Sequence, residues 1–120
     1  MTKIFAVDMD CTLTQEPCWT EEQCLNAKPR VEVIELVNQL YRKGHIIVIW
    51  TARREHLRTS TEYWLKKHEV FYHAIDMNHK IGVDAYIDDR AINSTDACEL
   101  VQKVEQLLAT PDRWPEPEVK

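Results

Sequence analysis

Four short apolar runs punctuate the chain, and amphipathic stretches separate them. Ile4-Phe5-Ala6-Val7 ends at Asp8. His45 to Trp50 contains Ile46-Ile47-Val48-Ile49. Phe71 to Ile75 is a weaker run, and Val83 to Ile87 is closed by Asp88-Asp89. Continuous apolar runs of this length read as buried strands. Between them lie helical spacings. Val31, Ile34, Val37, Leu40 and Tyr41 share one face, with Pro29 near the start and Gly44 past the end, as helix punctuation requires. Leu57, Thr61, Trp64, Leu65 and His68 mark a second helix. The third runs from about Thr95 to Leu108, with Leu100, Val101, Val104, Leu107 and Leu108 on its buried face and Asp96 as a cap, Glu99 following three residues on.

Alternation of this kind predicts an α/β domain, a doubly wound, Rossmann-like parallel sheet with helices on both faces. Two segments fall outside the pattern. Residues 13–29 form a connecting loop, in which Thr20 and Gln23 make a capping box for a short helix and Trp19 is placed to staple onto Cys24. Residues 110–120 carry three of the five prolines and read as a surface tail. The expected organisation is one domain, residues 1–109, followed by that tail.

Composition narrows the partners. At 120 residues, 44% of them hydrophobic, the chain can build one core. Its net charge of −5 counts against general binding to nucleic acid or to a membrane surface, which select for excess Lys and Arg. No apolar run approaches the ~18 residues of a membrane span. The four cysteines, Cys11, Cys18, Cys24 and Cys98, form no C-x-x-C pair. No secretory leader is apparent, so the expectation is a cytoplasmic protein with reduced thiols.

Ligands of open α/β sheets bind beyond the C-terminal ends of the strands. The first strand delivers Asp8-Met9-Asp10-Cys11-Thr12 to that edge, the second Thr51-Ala52-Arg53, and the fourth Asp88-Asp89-Arg90, with Lys80 just before it. Clustered carboxylates repel one another unless protonated or bridged by a cation. Mg²⁺ prefers such hard oxygen ligands. With Lys80 and Arg53 it would supply the positive charge that a phosphate dianion needs, and Thr51 offers a hydroxyl donor.

Asp8-Met9-Asp10-Cys11-Thr12-Leu13-Thr14 resembles the first motif, D-x-D-x-T, of the haloacid dehalogenase superfamily. Thr51 resembles the second, Lys80 the third and Asp88-Asp89 the fourth, in the family's order over roughly residues 4–108. The resemblance implies a magnesium-dependent phosphatase. Asp8 would be the nucleophile that forms an aspartyl-phosphate. Asp10 would be general acid and then general base, a role that asks for a carboxyl with a raised pKa. Thr51 and Lys80 would hold the transferring phosphoryl group. The metal would sit on Asp8, the Asp10 carbonyl and Asp88, with Asp89 a ligand through water or an orienting group. Thr12 would support the motif loop beside the substrate.

Thr51-Ala52-Arg53-Arg54 and Tyr86-Ile87-Asp88-Asp89-Arg90-Ala91 are similar to small capless phosphatases of bacterial polysaccharide biosynthesis. They are also similar to the 3′-phosphatase domain of phage polynucleotide kinase, by which Arg53 would contact substrate phosphate. Two departures stand out. Cys11 occupies a position that is commonly Gly in the family, and the segments where other members insert a cap are short. The site is therefore expected to be open, admitting a bulky substrate or covered by a second subunit.

The expected substrate is a phosphorylated small molecule, a sugar phosphate or nucleotide. The alternatives are a polynucleotide 3′-phosphatase and a non-enzymatic phospho-receiver module. Receiver modules, however, carry their phosphorylated Asp alone on a middle strand, whereas Asp8 and Asp10 are paired on the first.

Overall fold

The computed structural model describes residues 2–110 and divides the chain into two compact units, Met1–Tyr86 and Ile87–Lys120. The proposed surface tail, from residue 111 on, lies outside the described residues. The first unit holds strand β1 (Ile4–Val7), helices α1 (Glu21–Asn26) and α2 (Val31–Arg42), strand β2 (Ile46–Trp50), helix α3 (Arg58–Lys67) and strand β3 (Ala74–Asp76). The second holds helix α4 (Ala97–Ala109). No helix among the described residues is long and apolar enough to cross a membrane.

The sheet is parallel, in the order β1-β2-β3. Ile4 to Val7 pair with Ile46 to Ile49, and Val48, Ile49 and Trp50 pair with Ala74, Ile75 and Asp76. Parallel neighbours place their C-terminal ends on one edge. Asp8, Thr51 and Met77 therefore leave the sheet on the same side. The central strand carries the core: Ile47 and Ile49 are fully buried, as are Trp64 and Leu65 on α3. The Trp64 indole N–H finds its partner in the Ala27 carbonyl at 2.8 Å, which ties α3 to the end of α1.

Helix boundaries follow local chemistry. Thr20 and Gln23 make the reciprocal capping box that starts α1. Gly44, at φ +90°, follows α2 in a left-handed conformation that costs glycine nothing. Asp96 caps α4 by accepting from Cys98 N–H and Glu99 N–H. Trp19, 77% exposed, does not act as the staple expected of it. The loop over residues 13–29 instead closes on itself, with Gln15 N–H bonded to Lys28 C=O and Arg30 N–H to Leu13 C=O, both at 2.8 Å. It carries only α1, and no cap domain is present among the described residues.

The strands depart from the sequence pattern in three ways. Val83–Ile87, expected as a fourth strand, forms none here, and Ile87 is fully exposed. Asp84 interrupts the run, and a strand of this length repays its ordering only when a neighbour accepts its ladder bonds and its apolar face is covered. The third strand is shorter than Phe71–Ile75. Its first part is drawn toward α2, because Phe71 N–H donates to the buried Asn38 amide oxygen at 2.8 Å. Finally, β1 lies at the edge of the three-stranded sheet, with Ile4 and Ala6 exposed, so its apolar run is not buried on both faces.

Candidate functional site

The site grows from the turn that follows β1. Met9–Leu13 is an irregular helical turn interrupted at Asp10 and Cys11. Cys11 sits at φ +61°, ψ +15°, the left-handed region, which costs a residue with a Cβ roughly 1–2 kcal/mol. A glycine at this position would pay no such cost. Three contacts hold the turn in place. Thr14 Oγ1 accepts from Cys11 N–H at 3.2 Å, Thr14 N–H donates to Met9 C=O at 3.1 Å, and Arg30 Nη1 donates to Cys11 C=O at 3.2 Å. Thr14 is wholly buried and Thr12 half-buried. Thr14, the last residue of the D-x-D-x-T-x-T run, thus helps to clamp this loop.

The turn separates two carboxylates and gives them different partners. Asp8 accepts from Met9 N–H at 2.8 Å and pairs with Lys80 Nζ at 3.0 Å. Its side chain keeps 37% of its surface exposed, whereas that of Lys80 keeps 9%. The ammonium lies 4.8 Å from the Trp50 ring centre and 5.6 Å from that of Tyr86. It also donates to Trp50 C=O at 3.4 Å. Two aromatic faces and a carbonyl thus hold Lys80 on Asp8, the kind of setting in which cation–π attraction contributes.

Asp10 faces Arg53. Nη2 donates to Asp10 Oδ1 at 2.7 Å and Nε to Oδ2 at 3.2 Å, a forked pair. The remaining guanidinium nitrogen, Nη1, donates to Thr61 Oγ1 on α3 at 2.9 Å. The Arg53 side chain is 1% exposed and that of Asp10 26%. Burial works against the guanidinium charge, but the hydrogen bond and charge of Asp10 outweigh it, so the pKa of Arg53 lies above its ordinary value. Asp10 thus lies against a buried cation that holds it by two nitrogens. Arg53, expected to meet substrate phosphate, is turned inward to Asp10.

Thr51 is fully buried at the end of β2, where its Oγ1 accepts from Arg53 N–H at 3.1 Å. Its hydroxyl proton still allows it to donate.

Two cysteines border the site. Burial, reinforced by the charge of Asp10 and a hydrogen bond with it, pushes the Cys18 thiol up to about 11, so it remains a neutral neighbour of Asp10. Partial burial and the charges of Asp10 and Asp8 push the Cys11 thiol above its ordinary value as well. Little thiolate then exists near neutral pH, which fits a structural rather than a redox role.

The first unit thus brings together Asp8, Asp10, Thr51, Arg53 and Lys80. Asp88 and Asp89 belong to the second unit, where Asp88 Oδ1 accepts from Arg90 N–H at 2.6 Å and Ala91 N–H at 2.7 Å, closing its own turn. Among the described residues, no three His, Cys, Asp or Glu side chains gather to hold a metal ion. What the first unit offers a divalent cation is hard oxygen on the part-exposed Asp8 carboxylate. Mg²⁺ is suited by such sparse sets, since it binds through one or two carboxylates and keeps several waters.

Among solved structures, the chain is similar to a structural-genomics target from Vibrio cholerae, with 33% identity and a TM-score of 0.69. That match covers 88% of this chain and 99% of the other. The fold is shared more distantly, at 16% identity, with a chain of the Pnkp1/Rnl/Hen1 complex, at a TM-score of 0.56 over 69% of this chain and 30% of that one. A chain of the Pnkp1/Rnl/Hen1 RNA repair complex gives 0.57 over 93% and 32%, also at 16% identity. No family model matches the chain, and no curated protein does. At a third identical residues over nearly the full length of both chains, this protein belongs to the same family as the Vibrio cholerae protein.

Proposed function

We propose that the chain is a haloacid dehalogenase-type phosphatase, hydrolysing a phosphorylated small molecule with Asp8 as nucleophile. The observation that carries this reading is the pairing of a part-exposed Asp8 with a nearly buried Lys80, two residues from an Asp10 with a partner of its own. Asp8 has one oxygen on Lys80 and the carboxylate open toward solvent. An incoming phosphoryl group would meet both nucleophile and cation there.

In the first step an Asp8 oxygen attacks phosphorus, the bond from phosphorus to the ester oxygen breaks, and Asp10 gives that oxygen a proton. In the second, Asp10 takes a proton from water, the water oxygen attacks phosphorus, and the bond from phosphorus to Asp8 breaks. Inorganic phosphate leaves and both carboxyls return to their starting states. Lys80 and the Thr51 hydroxyl stabilise charge on the transferring group. Asp8 and the Asp10 carbonyl are the groups of the first unit that would hold Mg²⁺. The ion would neutralise phosphoryl oxygens and lessen their repulsion of the nucleophile.

A polynucleotide 3′-phosphate is the second substrate reading, favoured by the fold shared with a chain of an RNA repair complex. Raising salt separates the two, since a polynucleotide should lose affinity steeply and a metabolite should not.

The test is phosphate release from a panel of phosphorylated metabolites and 3′-phosphorylated oligonucleotides. Asp8→Asn should lower turnover by at least about a thousandfold while keeping the wild-type melting temperature to within a few degrees. Wild-type-like turnover in that variant would remove Asp8 from the nucleophile's role.

A further inference from the structure

We infer that Arg53 is a positioning residue that orients Asp10, held in turn by the buried Thr61 hydroxyl, and does not contact the substrate's phosphate. The inference rests on the role given to Asp10 above. Its basis is where each guanidinium nitrogen goes. Nε and Nη2 are engaged with the Asp10 carboxylate, and Nη1 with Thr61 Oγ1. With 1% of its side chain exposed, Arg53 shows almost no surface to a ligand arriving from solvent. Its backbone N–H is bonded to Thr51 Oγ1, so the same residue braces the end of β2.

Arg53 therefore joins the turn after β1, the end of β2 and the first half of α3. A forked guanidinium fixes the plane of a carboxylate as well as its position, which a lysine cannot do. Thr61 is fully buried and lies one helical step past Ser60 on a face that otherwise packs Trp64 and Leu65. Its hydroxyl is the fixed point from which the guanidinium reaches Asp10. Misplacing a group that must deliver a proton by about 1 Å costs on the order of a hundredfold in rate.

The experiment compares the full-length wild type, Arg53→Lys and Thr61→Val in magnesium buffer, on one alkyl phosphate and on para-nitrophenyl phosphate. Departure of an alkoxide needs the proton from Asp10, whereas nitrophenolate leaves without it. Both variants should lose about 10- to 100-fold in kcat on the alkyl ester, whereas on the aryl ester the first burst of nitrophenol, which precedes the attack of water, should keep its rate to within about threefold. KM and inhibition by inorganic phosphate should stay within about threefold. Adding Arg53→Lys to Asp10→Asn should cost little more than Asp10→Asn alone, because the two act through one carboxylate.

A rise in KM and a weakening of phosphate inhibition, equal for both esters with kcat kept, would make Arg53 a phosphate contact and overturn the inference. So would full additivity with Asp10→Asn. Thr61→Val keeps the shape of the side chain, so it decides the matter should Arg53→Lys fail to fold. An active wild type with unaffected variants overturns this inference alone. A wild type that releases no phosphate from any ester of the panel overturns the phosphatase reading and the inference with it.

Discussion

Asp8 and Asp10 are the same residue two positions apart on one turn, yet their surroundings differ in every respect that matters for chemistry. Asp8 meets a single ammonium at 3.0 Å and keeps more than a third of its surface in water. Asp10 meets a buried guanidinium that grips it by two nitrogens and is itself anchored on a helix. A lysine is a point charge on a flexible stem, so it offsets the Asp8 charge without fixing how that carboxylate turns. An arginine fork fixes orientation. The contrast suits the roles proposed for the two residues, a freer carboxylate to advance on phosphorus and a clamped one for proton transfer, where geometry is exacting.

The largest way to break that contrast is to remove the lysine. Lys80→Met should lower kcat by about 100- to 1000-fold, as loss of one charge-stabilising donor typically does. The Trp50 and Tyr86 rings should lose their cation without unfolding the chain. Turnover within threefold of wild type would leave Lys80 as a surface ion pair with no part in the reaction.

Removing divalent metal with a chelator should likewise stop phosphate release, and added Mg²⁺ should restore it. Undiminished rates after thorough chelation would take the ion out of the account. The smallest effect concerns the turn between the two carboxylates. Cys11→Gly should relieve the left-handed strain and raise stability by up to ~1 kcal/mol, glycine's greater unfolded-state entropy offsetting part of the gain. Urea denaturation reads this directly. A destabilised variant would mean that the Cys11 side chain contributes more by packing than its backbone loses by strain.

Much of the fold was legible because its signals are local. Pro29 and Gly44 bracket α2, Thr20 and Gln23 cap α1, and Asp96 caps α4. Each depends on residues within a turn or two. The apolar runs of β1 and β2 located the edge where Asp8 and Thr51 emerge for the same reason. What was not legible depends on pairing at a distance. Val83–Ile87 has the composition of a strand, but only an available neighbour turns that composition into a strand.

Arg53 is the clearest case within the site. Its position after β2 placed it near the carboxylates, but its direction is set by Asp10, 43 residues away, and by Thr61, eight residues on. Sequence spacing alone gives no reason to couple those two to it. Thr14 and Cys18 were missed similarly. A buried threonine clamping its own turn, and a thiol against a carboxylate, look like ordinary loop residues until the loop is closed.

The nucleophile can be tested at the bond it forms. Asp10→Asn should retain the ability to transfer phosphate from an aryl ester to Asp8 while losing the base that activates water. Mixing that variant with radiolabelled para-nitrophenyl phosphate and Mg²⁺, then quenching in acid, should leave label on the protein. The label should map to the peptide bearing Asp8 and come off with hydroxylamine, as an acyl phosphate does. Label on another residue, or release of nitrophenol with none retained at any quench time, would contradict the assignment of Asp8.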